Sequence, residues 1–163
     1  MPVPDAPLSA RDIIQALNLQ ELQPEGGYWG PRYRAPLTSS AGECACGSIL
    51  YLITPETFSH FHCLTVDEIF HFCAGFPVEQ LVLTPEGTMQ RVILGPDIVA
   101  GHVPVSIVPA GCWQAARLVG DGAYALLGAT TVPAYTDDCV AHAAADTLAQ
   151  RWPEHAKDIL RFA

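Results

Sequence analysis

Basic residues are scarce in this chain of 163 residues, which contains eight Lys and Arg against seventeen Asp and Glu and has a formal charge of −9. They are also scattered, since no basic run occurs anywhere in the sequence. Binding to a phosphate backbone or to an anionic membrane depends on clustered positive charge. The sequence therefore predicts no nucleic-acid partner and no membrane-surface partner.

Long apolar runs and targeting signals are lacking as well. No apolar run approaches the roughly 18–20 residues of a membrane span. The first ten residues, MPVPDAPLSA, have neither the basic segment nor the apolar segment of a secretory signal. The six cysteines include no C-x-x-C pair, so we expect free thiols rather than a disulfide framework. A cytoplasmic location is the expectation that follows.

Half of the residues are apolar, and fourteen Pro and thirteen Gly separate short β-rich runs. This length and composition predict one domain with a sizeable core. Eight runs have the character of strands, and turn residues separate them: 48–54, 58–64, 68–74, 78–84, 89–94, 103–108, 113–119 and 123–131. So many short strands at this spacing predict an all-β sandwich or barrel.

Helices are predicted only at the two ends of the chain. Residues 9–19 begin with the capping residue Ser9 and carry apolar residues at helical spacing. The tail from about residue 138 is rich in Ala, and Pro153 divides it into two short helices. We therefore expect one domain over 1–163, with an N-terminal helical arm over 1–22, a barrel over 23–135 and C-terminal helices over 136–163.

The segment FSHFHCLTVDEIFHFCAG, residues 58–75, has the composition of a metal site. Because residues i and i+2 of a strand share a face, His60 and His62 are predicted to converge on one ion. Glu68, at the start of the next strand, could complete a set of two histidines and one carboxylate. Asp67 is the alternative third ligand, since adjacent strand residues face opposite ways.

The same residues resemble the two motifs of the cupin superfamily. His60-x-His62 followed by Glu68 and Gly75 is similar to the first motif, and PAGCWQ at 109–114 is similar to the second, P-x-G-x-x-H. Five segments in order more closely resemble the DUF985, or Cupin_5, family: PEGGYW at 24–29, FSHFH at 58–62, DEIFHF at 67–72, LGPD at 94–97 and VPAGCWQ at 108–114. The resemblance implies a cupin jelly-roll β-barrel, a homodimer and a pocket inside the barrel for a small molecule.

The resemblance also assigns the ligand positions. The spacing to Gly75 favours Glu68 over Asp67, and the position of the fourth cupin ligand, normally a histidine, is occupied by Gln114. The implied cofactor is a divalent metal (zinc, nickel, iron or manganese) on His60, His62, Glu68 and Gln114, with no organic cofactor. The alternative is a metal-free pocket, because a neutral carboxamide is a weaker metal ligand than imidazole and can instead bind a ligand hydroxyl.

Five further side chains are candidates for the pocket. Glu25 and Tyr28 lie in a Gly-rich loop that could cap the barrel, where the alternative is a solvated turn. Tyr51, Trp113 and Arg32 could line the pocket, although aromatic residues in strands are more often core residues.

Three functions remain open from the sequence. The first is a metal-dependent enzyme acting on a small polar molecule. The second is a metal-free isomerase or epimerase acting on a sugar-like substrate, with His60 or His62 as the base and a tyrosine as the acid. The candidate catalytic residues are His60, His62, Glu25 and Tyr28. The third is a non-catalytic small-molecule binding protein, because one barrel can host many chemistries.

Overall fold

The computed structural model of the protein describes residues 8–36 and 44–163. These residues form two antiparallel sheets. The six-stranded sheet comprises, in spatial order, β1 (Gln20–Glu21), β2 (Tyr28–Arg34), β3 (Gly47–Ile53), β10 (Ala125–Val132), β5 (Asp67–Gly75) and β8 (Val105–Val108). The five-stranded sheet comprises β11 (Val140–His142), β4 (Ser59–Leu64), β9 (Trp113–Leu118), β6 (Val78–Leu83) and β7 (Met89–Leu94).

The inner faces of the two sheets share one apolar core. Its residues alternate along their strands, because every second side chain of a strand faces the same side. On β5, Phe70 and Phe72 point inward, whereas His71 between them is exposed on the outer face. The fully buried part of this core includes Tyr51, Ile53, Val78, Leu94, Ala125 and Leu127.

Strand β4 departs from this alternation. Ser59 pairs with Ala116 of β9, and His62 pairs with Gln114, so three steps along β4 oppose two steps along β9. The extra residue is a β-bulge, which shifts the side chains that follow it by one position. Ser59 and His62 are both buried as a result, whereas His60 between them is exposed.

A short helix covers part of the outer face of the six-stranded sheet. Helix α1 (Ala10–Leu17) begins with a capping box, in which the backbone N–H of Asp12 donates to Ser9 Oγ and the Ser9 backbone N–H donates to the Asp12 carboxylate. Its buried residue Ile13 packs with Leu19 and with Leu52 of β3. The start at Ser9 is the one that the sequence predicted.

The C-terminal segment covers the outer face of the five-stranded sheet. Helices α2 (Ala145–Arg151) and α3 (Ala156–Ile159) pack against this sheet. Phe162, which follows α3, lies with its ring centroid 5.9 Å from that of Phe61 on β4. Leu81 and Leu83 of β6 are buried on the same side. All six residues of β6 are buried, because both faces of this strand are covered.

The architecture agrees with the predicted all-β fold, its N-terminal helix and its C-terminal helices. Two short strands were not predicted: β1, and β11, which precedes the C-terminal helices. The first seven residues of the predicted arm, and residues 37–43 of the predicted barrel, lie outside the described residues. No helix in the described ranges has the length and apolar character needed to cross a bilayer.

Candidate active site

The interior of the barrel contains one imidazole between two carboxylates. His62 of β4 is 2% exposed, and its Nε2 lies 3.7 Å from Oε1 of Glu25 and 3.9 Å from Oε2 of Glu68. Its other ring nitrogen, Nδ1, lies 2.9 Å from the carbonyl oxygen of His60. A carbonyl oxygen only accepts, so Nδ1 keeps its hydrogen and donates to it. Nε2 is therefore the nitrogen that gains and loses the exchangeable proton.

Glu25 reaches His62 from the loop that precedes β2. The backbone N–H of His60 donates to the Glu25 carbonyl at 2.7 Å, which attaches this loop to β4. Gly26 has a φ of +97°, and a Cβ at this position would collide with the carbonyl oxygen of Phe58. Glycine thus allows the loop to lie against β4 at this point. The Ser59 hydroxyl, 3.4 Å from Glu25 Oε1, donates to the carboxylate that the loop brings in.

Glu68 is held by a chain of buried hydrogen bonds that crosses the barrel. The Ser106 hydroxyl donates to Gln80 Oε1 at 2.7 Å, and Gln80 Nε2 donates to Gln114 Oε1 at 3.2 Å. Gln114 Nε2 then donates to Glu68 Oε2 at 2.6 Å. An ionised carboxylate can only accept, so Glu68 sets the direction of every bond in this chain.

The carboxylates determine the charge state of the imidazole. Burial by itself would lower the pKa of His62, but the nearby charges of Glu25 and Glu68 outweigh burial and raise this pKa to about 9. Burial raises the pKa of Glu25, which the charge of His62 only partly offsets. At neutral pH His62 is thus an imidazolium, and the pKa of the Glu25 carboxyl group is raised above its usual value.

His60 is not part of this cluster. Its side chain is exposed and lines a cavity of about 340 Å³ outside the barrel, between β4 and the C-terminal segment. Its ring centroid lies 4.5 Å from that of Phe58. The prediction that His60 and His62 converge on one site is wrong, because the bulge in β4 breaks the alternation on which it depended.

The two candidate carboxylates and Tyr51 differ in whether they face the interior of the barrel. Glu68 faces the interior, whereas Asp67 is exposed and accepts a hydrogen bond from a backbone N–H at 2.8 Å. Tyr51 is buried in the core, and its hydroxyl donates to the carbonyl of Gly26 at 2.7 Å. Burial raises the pKa of Tyr51 far above its usual value, so its hydroxyl keeps its proton.

Three predicted pocket or site residues lie outside the barrel. Tyr28 is half-buried and packs in the cluster beneath α1. Trp113 packs in the cluster beneath the C-terminal helices. Arg32 is exposed and donates to the carbonyl of Leu17 at the end of α1. These placements follow from the face of the strand that each residue occupies, which the sequence alone did not establish.

Sequence reasoning missed four polar residues at or beside the cluster. Gln80 and Ser106 belong to the hydrogen-bond chain, and Ser59 contacts Glu25. His142 of β11 pairs with His62, and the two ring centroids are 6.4 Å apart. The one available signal was the polar pair Glu79-Gln80 in the otherwise apolar run VEQLVL at 78–83.

The residues of this cluster do not match the predicted set of metal ligands, which comprised two imidazoles, a carboxylate and an amide oxygen. The cluster has one imidazole where two were expected, and Gln114 turns its NH₂ group toward Glu68 while its oxygen accepts from Gln80. Across residues 8–36 and 44–163, no group of three or more His, Cys, Asp and Glu side chains is arranged to hold a metal ion. Zinc, nickel and iron sites in proteins usually use several imidazole or thiolate ligands, which this cluster does not supply.

Two antiparallel sheets that enclose a polar cluster, with helices on their outer faces, define a double-sheet jelly-roll protein with an interior site. The profile of the Cupin_5 family, described as cupin superfamily (DUF985), matches residues 11–143. The chain therefore belongs to this family, as its motifs indicated.

Known proteins with this fold support the assignment. Protein SO0799 from Shewanella oneidensis has 30% sequence identity and a TM-score of 0.88, over 96% of this chain and 98% of that chain. A hypothetical protein from Leishmania major has 26% identity and a TM-score of 0.85, over 96% and 99% of the two chains. The uncharacterized protein YML079W of Saccharomyces cerevisiae is 25% identical over 134 residues, which cover 73% of this chain and 66% of the yeast protein.

Oxalate decarboxylase OxdC from Bacillus subtilis shares only the fold. The matching mutant structure has 11% identity and a TM-score of 0.56, and the match covers 90% of this chain and 38% of that one. The chain thus corresponds to less than half of the decarboxylase.

Proposed function

We propose that this cupin is a metal-free enzyme of the isomerase or epimerase type that moves a proton on a small polar molecule. The observation that carries the proposal is the His62 imidazole buried between two carboxylates. Pairs of titratable groups whose surroundings shift their pKa values are typical of acid–base sites.

The two groups have complementary roles in such a reaction. Glu25, with its raised pKa, takes a proton from a carbon next to a carbonyl group, and the electron pair of that bond moves onto the carbonyl oxygen. His62, protonated at neutral pH, donates its Nε2 proton to this oxygen. Glu25 then returns its proton to the former carbonyl carbon, while His62 takes a proton from the hydroxyl oxygen on the carbon that was first deprotonated. These transfers complete an aldose–ketose isomerisation without an oxidant or a metal.

Glu68 acts through His62 as a positioning residue. Its Oε2 lies 3.9 Å from His62 Nε2, and the Ser106–Gln80–Gln114 chain fixes its orientation. A carboxylate held in this way favours the imidazolium and keeps its ring oriented.

Solvent deuterium exchange tests this proposal. The protein is incubated with a panel of ketose and aldose sugars in D₂O, and deuterium incorporation next to the carbonyl is followed by NMR. We expect exchange with the wild type and a decrease of roughly 10²–10⁴-fold in both Glu25→Gln and His62→Gln. His71→Gln is the matched control, because His71 is exposed on the outer face of β5.

The outcomes separate the candidate functions. Exchange that survives in His62→Gln contradicts the acid–base role. Saturable binding of a sugar without exchange would identify a non-catalytic binding protein instead.

A further inference from the structure

All eight basic side chains of the protein lie within the described residues: Arg11, Arg32, Arg34, Arg91, Arg117, Arg151, Lys157 and Arg161. Arg11 and Lys157 are exposed on α1 and α3. Arg32 and Arg34 are exposed on β2 and donate to the carbonyls of Leu17 and Tyr135.

The other basic residues lie on the side of the C-terminal helices. Arg91 and Arg161 both pair with Glu79. Arg117 donates to the carbonyl of Arg161. Arg151 lies over the ring of Trp152, 4.3 Å from its centroid. None of the eight basic groups therefore faces the interior cluster.

The interior cluster consequently contains no unpaired Lys or Arg side chain. Its one cation is the His62 imidazolium, which already lies within 4 Å of both Glu25 and Glu68. With both carboxylates ionised the cluster has a net charge of −1, and with Glu25 protonated it is neutral. A carboxylate or phosphate entering this buried region would gain no unpaired positive partner and would lose its hydration.

Two carboxylate oxygens of the cluster remain available as acceptors. In the described part of the chain, Glu68 Oε1 and Glu25 Oε2 accept no hydrogen bond, whereas the second oxygen of each group contacts His62. No fully buried side-chain oxygen or nitrogen in that part lacks a partner, and both carboxylate side chains are partly exposed. The side chains are 18% and 10% exposed for Glu25 and Glu68, against 2% for His62.

We propose that the barrel takes an uncharged or cationic molecule whose hydroxyl or ammonium groups donate to Glu25 and Glu68, and that it excludes carboxylates and phosphates. The proposal rests on the proposed function, since it specifies the substrate class of the same site. Oxalate, the dianion in the name of the decarboxylase with this fold, belongs to the excluded class.

Three probes of different charge test this proposal: Tris as a cationic amino polyol, glycerol as a neutral polyol and oxalate as an anion. Each is titrated at constant pH and ionic strength into protein labelled at histidine, and the His62 ring signals are followed by NMR. We expect saturable shifts with Tris or glycerol and none with oxalate. In Glu25→Gln the dissociation constant for Tris should rise about tenfold, because a charge-assisted hydrogen bond is lost.

The control variant is Glu21→Gln, which removes the same charge at an exposed position on β1 and should leave Tris binding unchanged. Saturable shifts of His62 with oxalate overturn the proposal. The absence of a saturable His62 shift with all three probes also overturns it. If deuterium exchange still depends on His62, either result contradicts only the substrate class and leaves the proposed acid–base function intact. Failure of the one proposal is therefore distinguishable from failure of the other.

Discussion

The charge state of His62 makes a quantitative prediction for stability against pH. The pKa of this ring rises from an ordinary value of 6.5 to about 9 in the folded protein. At about 1.4 kcal/mol per pKa unit, protonation of His62 therefore stabilises the folded state by about 3 kcal/mol. Because His62 is 2% exposed, solvent screens this contribution little.

The sign of the effect follows from the two pKa values. The folded protein binds the proton more tightly than the unfolded chain, so the contribution is fully present below pH 6.5 and is lost as the pH rises to about 9. Unfolding by urea at both ends of this window should show a fall of about 3 kcal/mol in the free energy of unfolding.

The variant His62→Gln isolates the contribution of this ring. It retains all six cysteines, so thiol ionisation in the unfolded chain affects both proteins alike. We expect the difference in the free energy of unfolding between wild type and His62→Gln to shrink by about 3 kcal/mol as the pH rises from 6.5 to about 9. A histidine titration by NMR should also show a lower pKa of His62 in Glu25→Gln. An NMR pKa at or below 6.5 for His62 in the wild type would refute the reasoning.

Three further predictions concern the hydrogen-bond chain, the metal and the oligomeric state. Ser106→Ala leaves buried Gln80 Oε1 without a donor and should cost about 1–3 kcal/mol in urea unfolding; no measurable cost contradicts the role of the chain. Gln114→His places a second imidazole opposite His62 and should create zinc affinity by calorimetry, whereas equal zinc binding by the wild type contradicts a metal-free site. We propose that the expected homodimer uses the outer face of β8, where Ile107 is 62% exposed; Ile107→Lys should give a monomer by light scattering, and a monomeric wild type contradicts the interface.

The fold could be predicted because it depends on signals that are local in the sequence. Strand alternation and turn residues located the barrel strands, and the Ser9 cap located the start of α1. The short strands β1 and β11 were missed because each has at most three residues. Segments of this length are too short to show a periodic signal.

The site could be predicted only in part, for a different reason. Glu25, His62, Glu68 and Gln114 were all among the candidates, and the structure brings them together. His60 was misplaced because a bulge depends on the register between two strands, not on the residues of one strand. The amide orientation of Gln114 could not be predicted either, because it depends on hydrogen bonds to both Gln80 and Glu68.

The hydrogen-bond chain also links the two sheets mechanically. Ser106 and Glu68 belong to the six-stranded sheet, whereas Gln80 and Gln114 belong to the five-stranded sheet, so the chain leaves one sheet, follows the other and returns. The polar groups that hold Glu68 toward His62 thus also connect the two sheets, in addition to the apolar core that they share. Many enzymes gain stability when active-site polar groups are removed, because such sites store strain. Here the same groups connect the two sheets, so we expect substitutions at these positions to lower stability together with activity.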